Sequence, residues 1–204
     1  MADQHTLAQG PVPGMEPAGR DVAGKDVAGK DLAGTQRYPA TEGQARALAS
    51  STRLRILRLC LSEALTNKEI ATRLRKHPAS VLHHVRTLVD TGFLAAEPVR
   101  RGSRGAREVP YRATRLSWKL DFGEHHVGNR DAALEAFLDE VASVGHEKLQ
   151  STRLGLRLPA EQIEELRQRL TALLDEFAGR PIDPDGERWS LYLGLHPEAG
   201  PGLD

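Results

Sequence analysis

Thiol chemistry is almost absent from this chain, in which Cys60 is the one cysteine. A lone cysteine excludes an intramolecular disulfide and every CxxC redox or metal motif. The flanking Leu59 and Leu61 suit a small core residue better than a reactive thiol. Aromatic residues are scarce as well, at 4% of 204. That excludes an aromatic-rich β-sandwich, whereas a hydrophobic content of 39%, drawn mostly from Leu, Ala and Val, supports a helical core. Neither a long apolar run nor a basic-then-apolar leader occurs, so no membrane contact is expected and the protein is read as cytoplasmic. No Gly-rich phosphate loop, HExxH or GxSxG is present, and Ser, His and Asp fall in no triad spacing. Neither catalysis nor a bound cofactor is therefore expected.

Net charge is also missing, but the zero is a balance of unlike parts. From Thr41 to Thr114 there are 14 Lys+Arg against 6 Asp+Glu, a net of +8. From Arg115 to Asp204 there are 10 against 17, a net of −7, and the first forty residues hold 4 against 5. A basic part joined to an acidic one is expected where the first meets a polyanion and the second makes protein contacts. Residues 1–40 are rich in Gly, Pro and Ala and carry the pentads RDVAG, KDVAG and KDLAG. A five-residue period fits neither a helix face nor a strand, so the segment is expected to be a disordered tail. Its alternating Lys and Asp cancel, which makes it a poor DNA-binding arm.

Order is expected from Thr41, where Thr41 and Gln44 can form a capping box. A second helix, TRLRILRLCLSE, follows a cap at Ser50 or Ser51, and Leu65 can form a strand stub. Thr66 and Glu69 repeat the Thr-x-x-Glu/Gln pattern, and Ile70, Ala71 and Leu74 give the next short helix one apolar face. Lys76 and His77 form a break, Pro78 suits the first turn of a new helix, and Val81, Val85 and Leu88 form its inner stripe up to the stop at Gly92. Any αα-hairpin could show this much. A capped helix, a turn and a longer helix with Ser80, Leu82, His83, Arg86 and Thr87 outside is also the pattern of a helix-turn-helix.

The residues after Gly92 favour the helix-turn-helix. The stretch FLAAEPVRRGSRGAREVPYRAT changes to short extended runs around a Gly/Ser/Arg centre, a β-hairpin whose tip carries Arg100, Arg101, Ser103, Arg104 and Arg107. Flexible backbone with long guanidinium side chains suits a phosphate chain. Helices, helix-turn-helix and basic hairpin together make a winged helix. The run ALASSTRLRILRLC, LTNKEIATRL, PASVLHHVRTLVDTGFL and PYRAT, about Ala45 to Thr114, resembles the ArsR-like winged helix-turn-helix transcription regulators. The resemblance implies a homodimer, most simply a repressor, on a partly palindromic operator in double-stranded DNA. It implies a recognition helix from Pro78 to about Thr91 in the major groove, with Ser80, His83, Arg86 and Thr87 facing bases. Thr66, Asn67, Lys68, Lys76 and His77 would also contact DNA, with the wing lying beside the recognition helix. Leu82 departs from the pattern, standing where a small polar residue is usual, and puts the operator sequence in doubt.

The family's founding members sense metals, and this chain lacks their cysteine pair. Asp121, Glu124, His125 and His126 are the one candidate oxygen/nitrogen ligand set, and surface polar residues in a linker are the plainer reading. Beyond them a helix from about Asn129 to Leu149 carries an apolar stripe; Leu134, Phe137, Leu138, Val141 and Val144 of it are expected at the dimer interface. STRLGLRLP and ERWSLYLGLHP alternate like strands around the amphipathic AEQIEELRQRLTALLDEF. The expected fold is mainly α with small β (α+β): a winged helix-turn-helix over 41–114, then a helix and a strand–helix–strand unit over 115–204 for dimerisation and an unidentified small-molecule effector. A winged helix used only for protein contacts is the rival, and four arginines on the wing speak against it.

Overall fold

The computed structural model describes residues 37–102, 105–123, 126–183 and 185–198, without the side chains of 126 and 127. The pentad repeat therefore lies outside the described residues, as do Ser103, Arg104, Glu124 and His125. Strand β1 (Tyr38–Pro39) is followed by helices α1 (Glu42–Leu48) and α2 (Ser51–Ser62), strand β2 (Leu65–Thr66), and helices α3 (Asn67–Leu74) and α4 (Pro78–Asp90). Strands β3 (Leu94–Ala96), β4 (Arg100–Arg101), β5 (Arg107–Glu108), β6 (Pro110–Ala113) and β7 (Leu120–Asp121) come next. Helices α5 (His126–Val144) and α6 (Ala160–Gly179) complete the set.

Both expected capping boxes are present. Thr41 accepts the amide of Gln44 and Thr66 that of Glu69, while the Gln44 and Glu69 side chains reach back to the cap amides. Ser50 holds the N-cap of α2 but makes no side-chain cap bond. Instead the corner between α1 and α2 is closed by Arg53, whose Nε donates to the Ala47 carbonyl and whose Nη2 donates to that of Arg46 at 2.7 Å. Those carbonyls are among the unpaired groups that end a helix. After α4, Gly92 adopts φ +81°, where a side chain would be strained, and turns the chain into β3.

The core is the inner face of these helices. Ile56, Cys60, Ile70, Val81, Val85 and Leu88 are fully buried, and Phe93 and Leu94 close it from the wing side. The wing has two storeys. At its base β6 lies between β2 and β3, antiparallel to both, with Leu94 opposite Ala113 and Leu65 opposite Tyr111. At its tip β4 and β5 form a separate ladder, Arg100 opposite Glu108 and Arg101 opposite Arg107. The winged helix-turn-helix expected from the sequence is the fold observed.

Three expectations need correction. Residues 37–40 are not part of a disordered tail: β1 pairs in parallel with β7, and the Ala40 amide donates to the Asp121 carbonyl at 2.7 Å. Arg37 also lies 5.2 Å from the Trp118 ring centre, a cation–π contact that composition does not reveal. Helix α5 runs from 126 to 144 rather than from 129 to 149, and its apolar residues divide between two faces. Ala132, Ala136 and Val141 are buried by α2, while Leu134, Leu138 and Val144 stay exposed. The two alternating segments around α6 join no strand ladder among the described residues. Alternation prepared them for pairing and supplied no neighbour at the right distance.

Candidate nucleic-acid interface

Ion pairing sorts the basic residues of Thr41–Thr114 into two groups. Arg46 pairs with Glu42, Arg55 with Asp139 at 3.1 Å, Arg58 with Glu140 at 3.5 Å, Arg73 with Glu63 at 2.7 Å, Arg100 with Glu69 at 2.6 Å, and Arg112 with Glu97. Lys68, Arg75, Lys76, Arg86, Arg101 and Arg107 make no ion pair among the described residues, and all six are exposed. These six lie on the first turn of α3, the α3–α4 turn, the outer face of α4 and the wing tip. The paired arginines of α2 face α5 instead and serve to hold it.

The reading helix is positioned from its N-terminus. His77 takes the N-cap, and its Nδ1 accepts the Ala79 amide at 3.2 Å, which requires that nitrogen to be unprotonated. Asn67 donates through Nδ2 to the Pro78 carbonyl at 2.9 Å, tying the start of α3 to the start of α4. With Val81, Val85 and Leu88 buried, the helix turns Ser80, His83 and Arg86 fully outward and leaves Leu82 and Thr87 half-buried at the margins. Thr87 bonds back to the His83 carbonyl at 3.1 Å. His84 stands apart from this face: its Nδ1 is buried without a partner, and burial, helped by nearby Arg53, lowers its pKa.

Two expected contact residues have structural work. Thr66 is buried, and its hydroxyl is occupied by both the amide and the carboxylate of Glu69. Arg100 reaches across to Glu69 at 2.6 Å and to Glu108 at 3.6 Å, so it fastens the wing to the capping box of α3 rather than extending into solvent. The Glu69 pKa is lowered although burial opposes this; bonds from the Thr66 amide and hydroxyl and from Arg100 outweigh the desolvation. Arg101 and Arg107 are the described wing residues left for contact.

One residue that sequence spacing does not single out belongs with them. Arg75 is the C-cap of α3 at φ +53°, ψ +40°, a left-handed conformation that glycine adopts without steric cost. Its amide bonds to the Ala71 and Thr72 carbonyls, while its side chain is exposed and without an ion pair. The signal was available as an absent glycine at a helix stop, and no spacing rule looks for one.

The remaining candidates do not come together. Among the described residues no group of three His, Cys, Asp or Glu could hold a metal ion. Of the expected ligand set Asp121 accepts the Gly123 amide at 3.0 Å, Glu124 and His125 lie outside the described residues, and so does the side chain of His126. The aromatic residues do not line one pocket: Trp118 donates to Asp175 at 3.0 Å, Tyr192 stacks on Phe137 at 5.3 Å, and Trp189 is exposed. Cys60 is buried and its thiol is pushed up to about 12, as expected for a core residue. Among the described residues no helix is long and apolar enough to cross a membrane.

Comparison with known proteins agrees with this geometry over the reading motif. Residues 48–97, roughly a quarter of the chain, match a family model described as a helix-turn-helix domain. No curated protein matches. Similar solved structures include the adhesin competence repressor AdcR of Streptococcus pyogenes, at 20% identity over 63% of this chain and 80% of that one, with a TM-score of 0.30. They also include a zinc-responsive MarR family member, ZitR of Lactococcus lactis, at 18% identity over 62% and 74% with a TM-score of 0.29. A ZitR variant in complex with DNA is 20% identical over 62% and 73%, with a TM-score of 0.28.

Proposed function

We propose that this chain is a sequence-specific, DNA-binding transcriptional regulator of the ArsR-like kind, a repressor acting in the cytoplasm as a homodimer. Helix α4 enters the major groove with Ser80, Leu82, His83, Arg86 and Thr87 toward base edges. Lys68, Arg75, Lys76, His77, Arg101 and Arg107 follow the phosphates on either side. The observation that carries this reading is the sorting of charge: Arg55, Arg58, Arg73, Arg100 and Arg112 are matched by carboxylates and Arg53 is tied to backbone carbonyls, whereas Lys68, Arg75, Lys76, Arg86, Arg101 and Arg107 make no ion pair among the described residues. An unmatched basic surface is what a polyanion neutralises, releasing counterions as it does so.

Bases and phosphates separate experimentally. Arg86→Ala or His83→Ala changes which sequences are preferred, since base-edge contacts carry discrimination of about 1–3 kcal/mol each. Arg101→Ala with Arg107→Ala weakens binding to every duplex and lowers the salt slope by about two. Mobility shifts on genomic fragments at two salt concentrations check both, and unchanged behaviour of both variants would remove this surface from consideration. The dimer is held through residues 115–204, where Leu134, Leu138 and Val144 are the open part of the expected α5 stripe and Phe137 and Val141 are covered within the same chain. A pair of reading helices in such a dimer addresses half-sites about one helical turn apart.

A further inference from the structure

Helix α5 meets the winged helix through small side chains. Ala132, Ala136 and Val141 are its buried apolar residues, and α1 and α2 are the helices packed on it. Alanine gives no ridge to lodge in a facing groove, so such a face fixes the distance between helices better than their angle. Two ion pairs help: Arg55 of α2 pairs with Asp139 at 3.1 Å and Arg58 with Glu140 at 3.5 Å. Asp139 and Glu140 are adjacent, however, so together they pin α5 at one point. Turning about that point has to be opposed from elsewhere.

The segment 188–192 crosses this joint. Arg188 donates to Glu63, the C-cap of α2, which also accepts from Arg73 of α3 at 2.7 Å. The Trp189 carbonyl accepts from Arg58 of α2 at 3.0 Å. The Ser190 hydroxyl donates to Glu140 of α5 at 2.8 Å, and the Tyr192 ring stacks on that of Phe137 with centres 5.3 Å apart. Taken along the chain, the contacts pass from the end of α2 to its middle and then to two positions on α5. Arg188 and Glu63 have side chains 61% and 37% exposed, and exposed pairs of this kind contribute little to stability. Their value lies in placement: links spread in sequence across a joint restrict its angle, and Glu63 extends that restraint to the first helix of the reading motif.

We infer that residues 188–192 are a strap that fixes the angle of α5 on the winged helix and thereby the half-site spacing the regulator accepts, with Arg188 and Ser190 as its positioning residues. The inference about spacing rests on the homodimeric regulator reading. In such a dimer α5 lies on the side of the partner and α4 on the side of the duplex, so the angle across the joint sets how far apart the two reading helices stand. Half-site separation follows from that distance.

The test uses the full chain and a pool of duplexes with a random core of about three helical turns. The pool is put through rounds of binding and amplification with the wild type, Arg188→Ala with Ser190→Ala, Arg188→Lys, and Arg153→Ala. Arg153 makes no ion pair among the described residues, so its loss controls for charge alone. The wild type and Arg153→Ala are expected to enrich paired half-sites at one spacing. The Arg188/Ser190 variant is expected to enrich the same half-sequence over several spacings, and to lose roughly three- to tenfold in affinity at the wild-type spacing, the size of two exposed links. Arg188→Lys keeps the pair with Glu63 and should return the single spacing. A contact that merely stabilised the fold would change affinity at all spacings alike. Amide exchange of the free proteins is followed in parallel: in the double variant exchange in α5 should rise roughly three- to tenfold while α4 stays unchanged. A double variant that keeps the single spacing overturns the proposal, and so does unchanged exchange in α5. A wild type that enriches no duplex, or only lone half-sites, removes the homodimeric regulator reading. The exchange result then decides the strap by itself, a rise in α5 sustaining it and no change overturning it.

Discussion

The winged helix and the chain beyond α5 differ in how they satisfy their apolar residues. In the first, the apolar stripes announced by helical spacing face inward except at Leu61, which is exposed, and Ile56, Val81, Val85 and Leu88 have no exposed surface. In the second, Leu154, Trp189 and Leu191 are open, and long stretches of chain join no helix or ladder among the described residues. The carboxylates differ as well. Those of α5, Asp139 and Glu140, reach back to neutralise arginines of α2 and leave the cations around the reading helix unmatched. One region buries its apolar stripes within the chain, and the other leaves several large apolar residues in solvent.

The largest effects should come from the finished core. Replacing Ile70 or Leu88, both fully buried, by Ala is expected to cost about 2–5 kcal/mol, read from urea unfolding. Leu191→Ala should cost under about 0.5 kcal/mol in monomer stability, because that side chain is already in water. Equal losses at the two places would erase the contrast. The wing clamp comes next: Arg100→Ala should reduce DNA affinity roughly three- to tenfold by freeing the wing from α3, an effect of about 0.7–1.4 kcal/mol. Glu69→Gln should reproduce it without removing a cation.

Arg75 sharpens the contrast in another direction. Arg75→Gly should raise stability by about 0.5–1 kcal/mol, since the left-handed backbone no longer opposes a Cβ. The same variant should weaken DNA binding and lower the salt slope by about one. A residue kept only for folding cannot move those two readings in opposite directions.

The smallest effect concerns acid. Glu63 accepts from Arg73 and Arg188, and these bonds hold its pKa at about 2 against an ordinary 4.5. A folded-state pKa below the unfolded one means that the stabilisation is present above about pH 4.5 and is lost as pH falls toward 2. Thermal melts of the wild type should therefore lose more over that window than those of Glu63→Gln, modestly so because the carboxylate is partly solvated.

Helical period, capping boxes and the switch to a Gly/Arg hairpin were enough to read the winged helix from residues alone. Each is a local rule, and each local preference agrees with the packing. The site was legible in part for the same reason. Ser80, His83 and Arg86 face outward because Val81, Val85 and Leu88 face in. Sequence spacing carries no information on which cations already have partners, so it does not show that Arg100 pairs with Glu69, 31 residues away. The left-handed C-cap at Arg75 has no signature in spacing, since it is a matter of backbone angle. The alternating segments were read as strands because alternation describes a side-chain pattern, whereas a strand also needs a neighbour's backbone at hydrogen-bonding distance.

The proposed function requires that unmatched cations grip a duplex and matched ones do not. Its most direct test is the dependence of duplex affinity on salt for the wild type, for Arg101→Ala with Arg107→Ala, and for Arg55→Ala with Arg58→Ala. The wing pair is expected to lower the slope of log K against log salt by about two, and the α2 pair to leave it unchanged. A slope that falls equally in both, or a wild type with no measurable affinity at low salt, would contradict it.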